Sequence, residues 1–490
     1  MVFALALALR LPTFVEPWVG VHNAWGGAFY GNVARNFLRY GMWTTAFAPV
    51  VNSGVVEPSQ FEVYFHHPVL SMWLTAVSFS MFGIHEWSAR LMPLLFSMLT
   101  IVMVFRIALA TASRSQALMA LVIMAVLPVD TYYSAHLDPN NSISIFFTVF
   151  AVDAYRRWSA GHRRGDFVQL AVALAMGCLS GWFTYLVIPG LVLHGWFSRP
   201  AGERRAVIVS LAVLPAISIA VFGLFLLHRK IALAGIGPEV FDALSDRLLK
   251  RTVSLQAGRV EILKAYLHQL LSLYTLPMVG LSIAWLIMFA GDLRRGAVSL
   301  GEWCVVLLWS YGFLYAMAFP GHLLSHDFFV RPYAAGVALA AASVLYRAGA
   351  RITTPSGHAA FLGSAIALIG VVTTLQTRAL FNADDRFNGT LLRGFGEAVA
   401  SRSTLRDPVF LPIRDDRVLQ YYVDRPLTFD LSTPERLADA ARKVRGPFLI
   451  LVADRNWVSY PELTAYLQKT YPEQRTPGLH IFLGNRPPGN

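Results

Sequence analysis

Length, composition and charge already limit what this chain can be. It has 490 residues, of which 55% are hydrophobic and only 14% are charged, and its mean hydropathy is +0.50. Soluble globular proteins carry about a quarter charged residues, so the composition excludes an ordinary soluble protein. Because apolar stretches of about 17 to 25 residues recur along the first three quarters of the chain, we predict an α-helical polytopic membrane protein.

The cysteines and the positive charge indicate neither a disulfide framework nor a nucleic-acid partner. The two cysteines, Cys178 and Cys304, lie inside apolar runs, where small core residues are expected rather than a cross-link or a metal site. The formal net charge is +12. Much of the arginine, however, lies in short loops between apolar segments, where membrane topology explains it.

In chain order, apolar windows predict about eleven membrane spans. The first lies in "MVFALALALRLPTF", which lacks a small-residue cleavage site and carries Arg10 within its apolar run, so we interpret it as a short span rather than a cleaved signal. The predicted spans lie near residues 1–15, 88–110, 115–134, 142–157, 167–183, 184–197, 206–228, 276–291, 302–319, 332–347 and 359–377.

The apolar run at 68–83 is predicted to be a juxtamembrane helix rather than a further span. If it does not cross, the arginine-rich short loops all fall on one side, as the excess of cytoplasmic positive charge requires. These arginines are Arg106, Arg114, Arg156, Arg157, Arg163, Arg164, Arg199, Arg204, Arg205, Arg294, Arg295, Arg347 and Arg351. The opposite side then carries the loops 16–67, 136–142, 229–275 and 320–331. The active face is therefore predicted to be extracytoplasmic, in a plasma or inner membrane.

Residues 378–490 have the composition of a soluble domain. The segments "VFLPI", "FLILVAD" and "HIFL" resemble short strands, and "TPERLADAARKV" and "YPELTAYLQKTY" resemble amphipathic helices. Their alternation predicts a small α/β domain, which the odd number of spans places on the extracytoplasmic side. The predicted domains are a transmembrane domain, 1–377, with its large first loop, and the soluble domain, 378–490.

Four short motifs follow one another along the first 160 residues. They are "AFYGNVARNFLRYG" at 28–41, "HHP" at 66–68, "FGIHEWSARL" at 82–91 and "YYSAHLDP" at 132–139. A weaker one, "SHDFFVRPYAA", follows at 325–335. In this order and spacing they resemble the membrane glycosyltransferases of the GT-C fold, and in particular the protein O-mannosyltransferases and the aminoarabinose transferase that modifies lipid A.

The resemblance implies an enzyme that moves a hexose or pentose from a polyprenyl phosphate to a protein, lipid or glycan, with inversion. Such a reaction needs a carboxylate for the acceptor hydroxyl and hydrogen-bond donors for the leaving phosphate. No cofactor, nucleotide sugar or nucleic acid is expected, and the few carboxylates of the outer loops imply no metal site. The expected partners are the lipid-linked sugar, membrane lipids and the acceptor.

Asp138 is the leading candidate for the catalytic carboxylate. It follows a span, precedes Pro139 and lies in a turn too short to leave the membrane surface. The alternative is a cap for the span that begins near Asn141, because Asp–Pro is a common helix start. The resemblance favours the catalytic role.

The first loop departs from the family pattern. Relatives carry an acidic residue shortly after the first span, whereas this chain has no Asp or Glu between Glu16 and Glu57. Four interpretations stay open: Glu16 serves, Glu57 or Glu62 folds back, His22 acts as the base, or ordinary activity has been lost.

His66 and His67 lie where the first loop returns to the membrane. Pro68 follows them and can begin a helix without an unsatisfied N–H group. We expect the pair to hydrogen-bond a phosphate or a sugar at this rim. The alternative is that interfacial histidines only satisfy loop carbonyls, and two adjacent side chains point too far apart to bind a metal by themselves.

A second polar cluster is predicted around His326, Asp327 and Arg331. Arg331 is the leading phosphate contact, because a guanidinium pairs with phosphoryl oxygens through two hydrogen bonds; the alternative is an arginine that reaches lipid head groups. His326 and Asp327 are expected to bind the acceptor or to orient one another. Arg35, which shares a helix face with Arg39, is a further phosphate candidate, with a solvated face as its alternative.

Two other functions stay open from the sequence. A transporter or flippase of a lipid-linked sugar usually shows paired halves and ionisable groups near the bilayer midplane, whereas polar residues here concentrate in the predicted outer loops. A catalytically silent scaffold that binds a partner through residues 378–490 stays open because the first-loop acid is absent.

Overall fold

The computed structural model describes residues 1–198, 204–239, 258–320, 324, 326–383 and 386–486. Within these ranges the side chains of residues 21–22, 204–208, 259, 386–388 and 485–486 lie outside the description. The chain divides into two compact units: Met1–Val15, Phe65–Ile231 and Phe241–Ala383 form the first, and Glu16–Tyr64, Ala232–Val240 and Asp384–Asn490 form the second. The second unit thus groups most of the predicted first loop with the C-terminal segment, while the domain limits 377 and 378 stay predictions.

The first unit is helical. Its helices are Val2–Arg10, Leu70–Phe82, Glu86–Thr111, Arg114–Val126, Pro128–Tyr132, Ser142–Gly161, Arg164–Ser180, Phe183–Phe197, Arg204–Gly235 (whose last turn belongs to the second unit), Arg259–Tyr274, Leu276–Arg294, Leu300–Ala318, Ala334–Gly349 and Pro355–Asn382, with a 3₁₀ helix at Asp327–Tyr333. All eleven predicted spans fall on these helices, and the juxtamembrane run is the helix Leu70–Phe82. The helix Arg259–Tyr274 lies in a segment that was predicted only as a loop.

Six helices in the described part of the chain are long and apolar enough to cross a membrane. They are Glu86–Thr111, Val209–Gly235, Leu276–Arg294, Leu300–Ala318, Asp327–Gly349 and Pro355–Asn382. Leu70–Phe82, Arg114–Val126 and Phe183–Phe197 are shorter apolar helices. The chain is a multi-pass integral membrane protein, and the finer count of eleven spans stays a prediction.

The helix Ala334–Gly349 is the most enclosed of the long apolar helices. Of the apolar window in Asp327–Gly349, 94% is buried, because its many alanines let neighbouring helices approach closely. At Gly336 an added Cβ would lie 2.3 Å from the ring of Trp309, so the contact requires glycine. This packing places the 3₁₀ helix Asp327–Tyr333, at the start of the same segment, inside the unit.

The second unit contains a five-stranded sheet with helices around it. Its helices are Val21–Tyr40, Arg386–Ala400, Arg417–Val423, Pro434–Arg442, Asp454–Trp457 and Pro461–Thr470, with a 3₁₀ helix at Pro58–Gln60. The strands are β1 (Val409–Phe410), β2 (Leu427–Thr428), β3 (Gly446–Ala453), β4 (Glu473–Thr476) and β5 (Leu479–Arg486), in the order β2-β1-β3-β5-β4. Strands β2, β1 and β3 are parallel, whereas β5 is antiparallel to β3 and β4.

Strand β3 separates two apolar cores. Leu449 and Leu451 point into one cluster, and Phe448, Ile450 and Val452 point into the other, because successive side chains of a strand face opposite sides of the sheet. The sheet is therefore covered on both faces. The small α/β domain predicted from the sequence is present.

Candidate functional site

The loop that carries Asp138 joins the helix Pro128–Tyr132 to the helix Ser142–Gly161. Asp138 Oδ1 accepts a hydrogen bond from the backbone N–H of Asn140 at 2.8 Å, and the Asp138 carbonyl accepts one from the N–H of Asn141 at 2.9 Å. An aspartate that bonds the backbone two residues on forms a turn, and this turn leads directly into the next helix. The residue is half-buried, so a structural role and a reactive one are compatible.

The histidine pair reaches this loop through Asn140. Nδ1 of His67 lies 3.2 Å from Asn140 Nδ2, and Asn140 Oδ1 accepts a hydrogen bond from the backbone N–H of Trp182 at 2.7 Å. The indole Nε1 of Trp182 donates to the carbonyl of His66 at 2.9 Å. Three segments that are distant in sequence therefore meet at one asparagine, and the following helix begins at Leu70.

These contacts fix the tautomer of His67. The backbone N–H of Trp182 can only donate, so the Asn140 atom that faces it is assigned as oxygen. The NH₂ group of Asn140 then faces His67. His67 Nδ1 must then accept, and the neutral imidazole carries its proton on Nε2. The loop thus brings the half-buried residue Asp138 and the imidazole of His67 to the same asparagine.

Arg331 supports the loop from inside the unit. Its Nη1 donates to the carbonyl of Tyr133 at 2.6 Å, to Ser142 Oγ at 2.8 Å and to Asn141 Oδ1. Nε and Nη2 donate to Oδ1 of Asp130 at 3.0 and 2.7 Å. All three nitrogens are engaged and the residue is 1% exposed. The predicted phosphate contact gains no support, because the guanidinium is already bound to protein groups.

Asp130 lies between two arginines in this buried network. Its Oδ2 accepts a hydrogen bond from Arg10 Nη2 at 2.7 Å, while Arg331 binds Oδ1. Arg10 also donates to the carbonyls of Ala6 and Ala125, each at 2.8 Å. The N-terminal helix is therefore fastened to the end of the helix Arg114–Val126 and, through Asp130, to the loop.

Asp327 contacts Tyr133, at the start of the Asp138 loop, and His326 lies beside Phe328. The hydroxyl of Tyr133 donates to Asp327 Oδ1 at 2.5 Å, and the His326 ring lies 5.3 Å from the Phe328 ring. Both residues are half-buried. Since the backbone of Tyr133 binds Arg331, the second predicted cluster and the Asp138 loop share one tyrosine.

Arg35 is engaged within the second unit. Its Nη1 lies 3.1 Å from Asp424 Oδ1 and donates to the carbonyl of Tyr421 at 2.9 Å, and its guanidinium lies 4.2 Å from the centre of the Tyr421 ring. Arg39 Nη2 binds the same aspartate at 2.6 Å. Burial raises the pKa of Asp424, but the charges of Arg35 and Arg39 outweigh it and lower that pKa below its ordinary value. These contacts hold the Arg35 guanidinium against protein groups of the second unit. The predicted phosphate contact of Arg35 gains no support.

The remaining first-loop candidates also belong to the second unit. Glu16 is half-buried, and the side chain of His22 lies outside the part of the chain that the structure describes. Exposed Glu57 pairs with Arg406 at 3.1 Å. Glu16, His22 and Glu57 belong to the second unit and Asp138 to the first, and the catalytic roles of these three residues stay predictions.

Glu62, the other first-loop acid, lies in a charged cluster of the second unit. Partial burial raises the pKa of Glu62, and nearby Asp415 adds to the rise against the charge of Arg417. The pKa of Asp415 is raised by burial as well, although Arg417 Nη2 lies 2.7 Å from it.

Several residues of the site were missed by the sequence analysis. Asp130 carried a usable signal, because a carboxylate inside an apolar run demands a buried partner. Asn140, Asn141 and Trp182 carried none, since their roles depend on which backbone groups the fold brings near them. Among the described residues, no group of three or more His, Cys, Asp or Glu side chains is arranged to hold a metal ion.

Comparison with known proteins identifies the fold. Residues 66–227 match the family described as dolichyl-phosphate-mannose-protein mannosyltransferase, and no curated protein matches the chain by sequence. The structure superposes on ArnT from Cupriavidus metallidurans bound to undecaprenyl phosphate with a TM-score of 0.69 and 14% identity, over 98% of this chain and 97% of that one. The chain has the GT-C fold.

Two archaeal structures share this GT-C architecture. The apo oligosaccharyltransferase of Archaeoglobus fulgidus gives a TM-score of 0.62 at 13% identity, over 99% of this chain and 74% of that one. The oligosaccharyltransferase AglB of the same organism, in complex with an inhibitory peptide and a dolichol-phosphate, gives 0.56 at 11% identity over the same shares. The resemblance predicted from the motifs, to GT-C glycosyltransferases and to protein O-mannosyltransferases and ArnT among them, is confirmed.

Proposed function

We propose that the protein transfers a sugar from a polyprenyl-phosphate-linked donor to an acceptor on the extracytoplasmic side, with inversion at the anomeric carbon. The observation that carries the proposal is the convergence of Asp138 and His67 on Asn140, at helix ends of a GT-C fold. The solved neighbours bound to undecaprenyl phosphate and to a dolichol-phosphate support a lipid-phosphate donor.

In the proposed reaction an acceptor hydroxyl oxygen attacks the anomeric carbon of the sugar. The bond from that carbon to the phosphate oxygen breaks, and the polyprenyl phosphate leaves with the electron pair. Asp138 takes the hydroxyl proton as general base, and the Nε2–H of His67 donates to the leaving phosphate. Acceptor, donor and product balance without a further reactant.

The arrangement of arginines supports an extracytoplasmic site. Arg106 and Arg156, from two different predicted cytoplasmic loops, both contact Asp153, at 3.5 and 2.8 Å. Asp153 lies in the second half of the helix Ser142–Gly161 and Arg156 follows it by three residues, whereas the Asp138 loop precedes the first residue of that helix. The basic cluster and the proposed site therefore lie toward opposite ends of one helix, as the excess of cytoplasmic positive charge predicts.

The test is sugar transfer by the purified full chain in lipid nanodiscs. Labelled undecaprenyl-phosphate pentoses and hexoses are offered with candidate acceptors, and wild type is compared with Asp138→Asn. We expect the variant to lose transfer by about 100-fold or more, the usual contribution of a general base. Asp439→Asn is the matched control, because this exposed aspartate belongs to the second unit and pairs with the nearby Arg442, and it should leave transfer unchanged.

Other outcomes would assign a different catalytic base or a different function. Equal transfer by wild type and Asp138→Asn removes Asp138 from the mechanism, and a matching loss in Asp327→Asn would move the role of base to Asp327. Movement of the labelled lipid across the bilayer without transfer would favour a flippase. Binding of undecaprenyl phosphate with neither movement nor transfer would favour a silent scaffold.

A further inference from the structure

One guanidinium holds both ends of the loop that carries Asp138. Arg331 reaches the carbonyl of Tyr133, where the loop begins, and Ser142 Oγ, where the next helix begins, at 2.6 and 2.8 Å. Ser142 Oγ in turn donates to the carbonyl of Ser134 at 2.8 Å. The loop is thus closed by hydrogen bonds across its base, two of them made by Arg331 and one by Ser142, which Arg331 contacts.

Arg331 also determines the orientation of Asn141. An arginine has only donors, so the Asn141 atom that faces it must be Oδ1, and the NH₂ group points the other way. Asn141 Nδ2 is buried and has no hydrogen-bond partner among the described residues. A free asparagine would rotate to satisfy that donor. The observed orientation is therefore imposed by Arg331.

The guanidinium of Arg331, which orients Asn141, is itself held in place by Asp130. Asp130 binds Arg331 with Oδ1 and Arg10 with Oδ2, and Arg10, Asp130 and Arg331 are each 1% exposed. Ser97 Oγ lies 3.3 Å from both Asp130 Oδ2 and Arg331 Nη2. Buried ion networks of this kind seldom maximise stability, and their better attested role is to specify one geometry.

We infer that Arg331 is a positioning residue, an inference that rests on the proposed function. It does not touch donor or acceptor. It fixes residues 133–142 so that the Asp138 carboxylate and the Asn140–His67 contact keep one arrangement, and Asp130 fixes Arg331. A base displaced by about 1 Å loses about two orders of magnitude in rate, so the effect belongs to catalysis rather than to donor binding.

The test combines hydrogen exchange, ligand binding and kinetics on the full chain in nanodiscs. In Arg331→Lys and Arg331→Met we expect backbone amides of 133–142 to exchange at least tenfold faster, with exchange in 334–349 unchanged as the sign of an intact fold. Affinity for undecaprenyl phosphate should stay within about threefold, while kcat for transfer falls by about 100-fold at nearly constant donor KM. Asp130→Asn should act in the same direction.

Arg347→Gln is the matched control. Arg347, like Arg331, is held by carboxylate groups, here Asp292 and Glu302, each at 2.7 Å, but among the described residues it makes none of the loop contacts, so its loss should leave exchange in 133–142 unchanged. Unaltered loop exchange in the Arg331 variants would overturn the inference, and so would a loss of undecaprenyl phosphate affinity equal to the loss of kcat. If wild type transfers no sugar, the proposed function fails, while the exchange data still decide whether Arg331 holds the loop.

Discussion

At the scale of single residues, Asn140 connects the parts of the candidate site. Its side chain accepts from Trp182 and donates to His67, and its backbone donates to Asp138. The side-chain amide can serve Trp182 and His67 together because it carries an acceptor and a donor on one planar group. An ionised carboxylate of the same size offers acceptors alone.

Asn140→Asp should separate activity from stability. The variant keeps an acceptor for the backbone N–H of Trp182, but its second carboxylate oxygen replaces the NH₂ group that donates to His67 Nδ1. Because two acceptors then face each other, we expect transfer to fall about tenfold or more. Asn140→Ala leaves the partly buried backbone N–H of Trp182 without its acceptor, at a cost of about 1–3 kcal/mol, and should lower the melting temperature more than Asn140→Asp does. Equal melting temperatures with equal transfer in both variants would contradict the bridging role.

The Asp424 ion pairs predict a pH dependence of stability in the second unit. The pKa of Asp424 is lowered in the folded chain, so its stabilising contribution is complete above the ordinary value of about 3.9 and is lost as the pH falls toward the lowered one. We expect Asp424→Asn to destabilise by about 1–3 kcal/mol at pH 7. Thermal unfolding at pH 7 and pH 3.5 measures this, and the gap between variant and wild type should shrink at the lower pH.

At the scale of elements, the end of the helix Arg164–Ser180 limits the space for the Asp138 loop. A Cβ added to Gly181 would lie 2.6 Å from the Pro139 carbonyl oxygen and 2.8 Å from Asn140 Oδ1. The first of these atoms belongs to the backbone, which cannot rotate away. The close approach of helix end and loop therefore requires glycine.

Gly181→Ala should displace the loop without breaking a helix. We expect transfer to fall by about tenfold or more, because the Asn140 contacts to Trp182 and His67 must shift. Gly280→Ala is the control, since nothing lies within 4 Å of a Cβ there, and transfer by that variant should equal wild type. Undiminished transfer by Gly181→Ala would show that the loop geometry does not govern the reaction.

Hydropathy and the alternation of strands and helices were sufficient to predict most secondary-structure elements. The polar contacts of the candidate site could not be predicted from the sequence. The apolar windows placed every predicted span on a helix, and "FLILVAD" gave the central strand β3, because burial dominates both patterns. Strand β4, "EQRT", has no apolar pattern and forms only by pairing with β5. Arg331 could not be assigned from its surroundings in sequence, since the partner that occupies it, Asp130, lies 201 positions away.

At the scale of the whole molecule, the proposed topology places residue 43 and residue 114 on opposite sides of the membrane. Both native cysteines are at most 1% exposed, so an introduced thiol can be labelled selectively. In intact cells we expect Trp43→Cys, at a position 86% exposed, to react with a membrane-impermeant maleimide. Arg114→Cys should react only after permeabilisation, and labelling of both in intact cells would contradict the span count.

The three members of the network around Asp130 are synthesised at widely separated times. Arg10 and Asp130 are 120 positions apart, and Arg331 follows Asp130 by 201, so a ribosome delivers the aspartate long before its second cation. Until Arg331 has been synthesised, Asp130 can pair with Arg10 but not with its second arginine. A chain that stops before the 3₁₀ helix Asp327–Tyr333 therefore lacks the guanidinium that contacts both ends of the Asp138 loop.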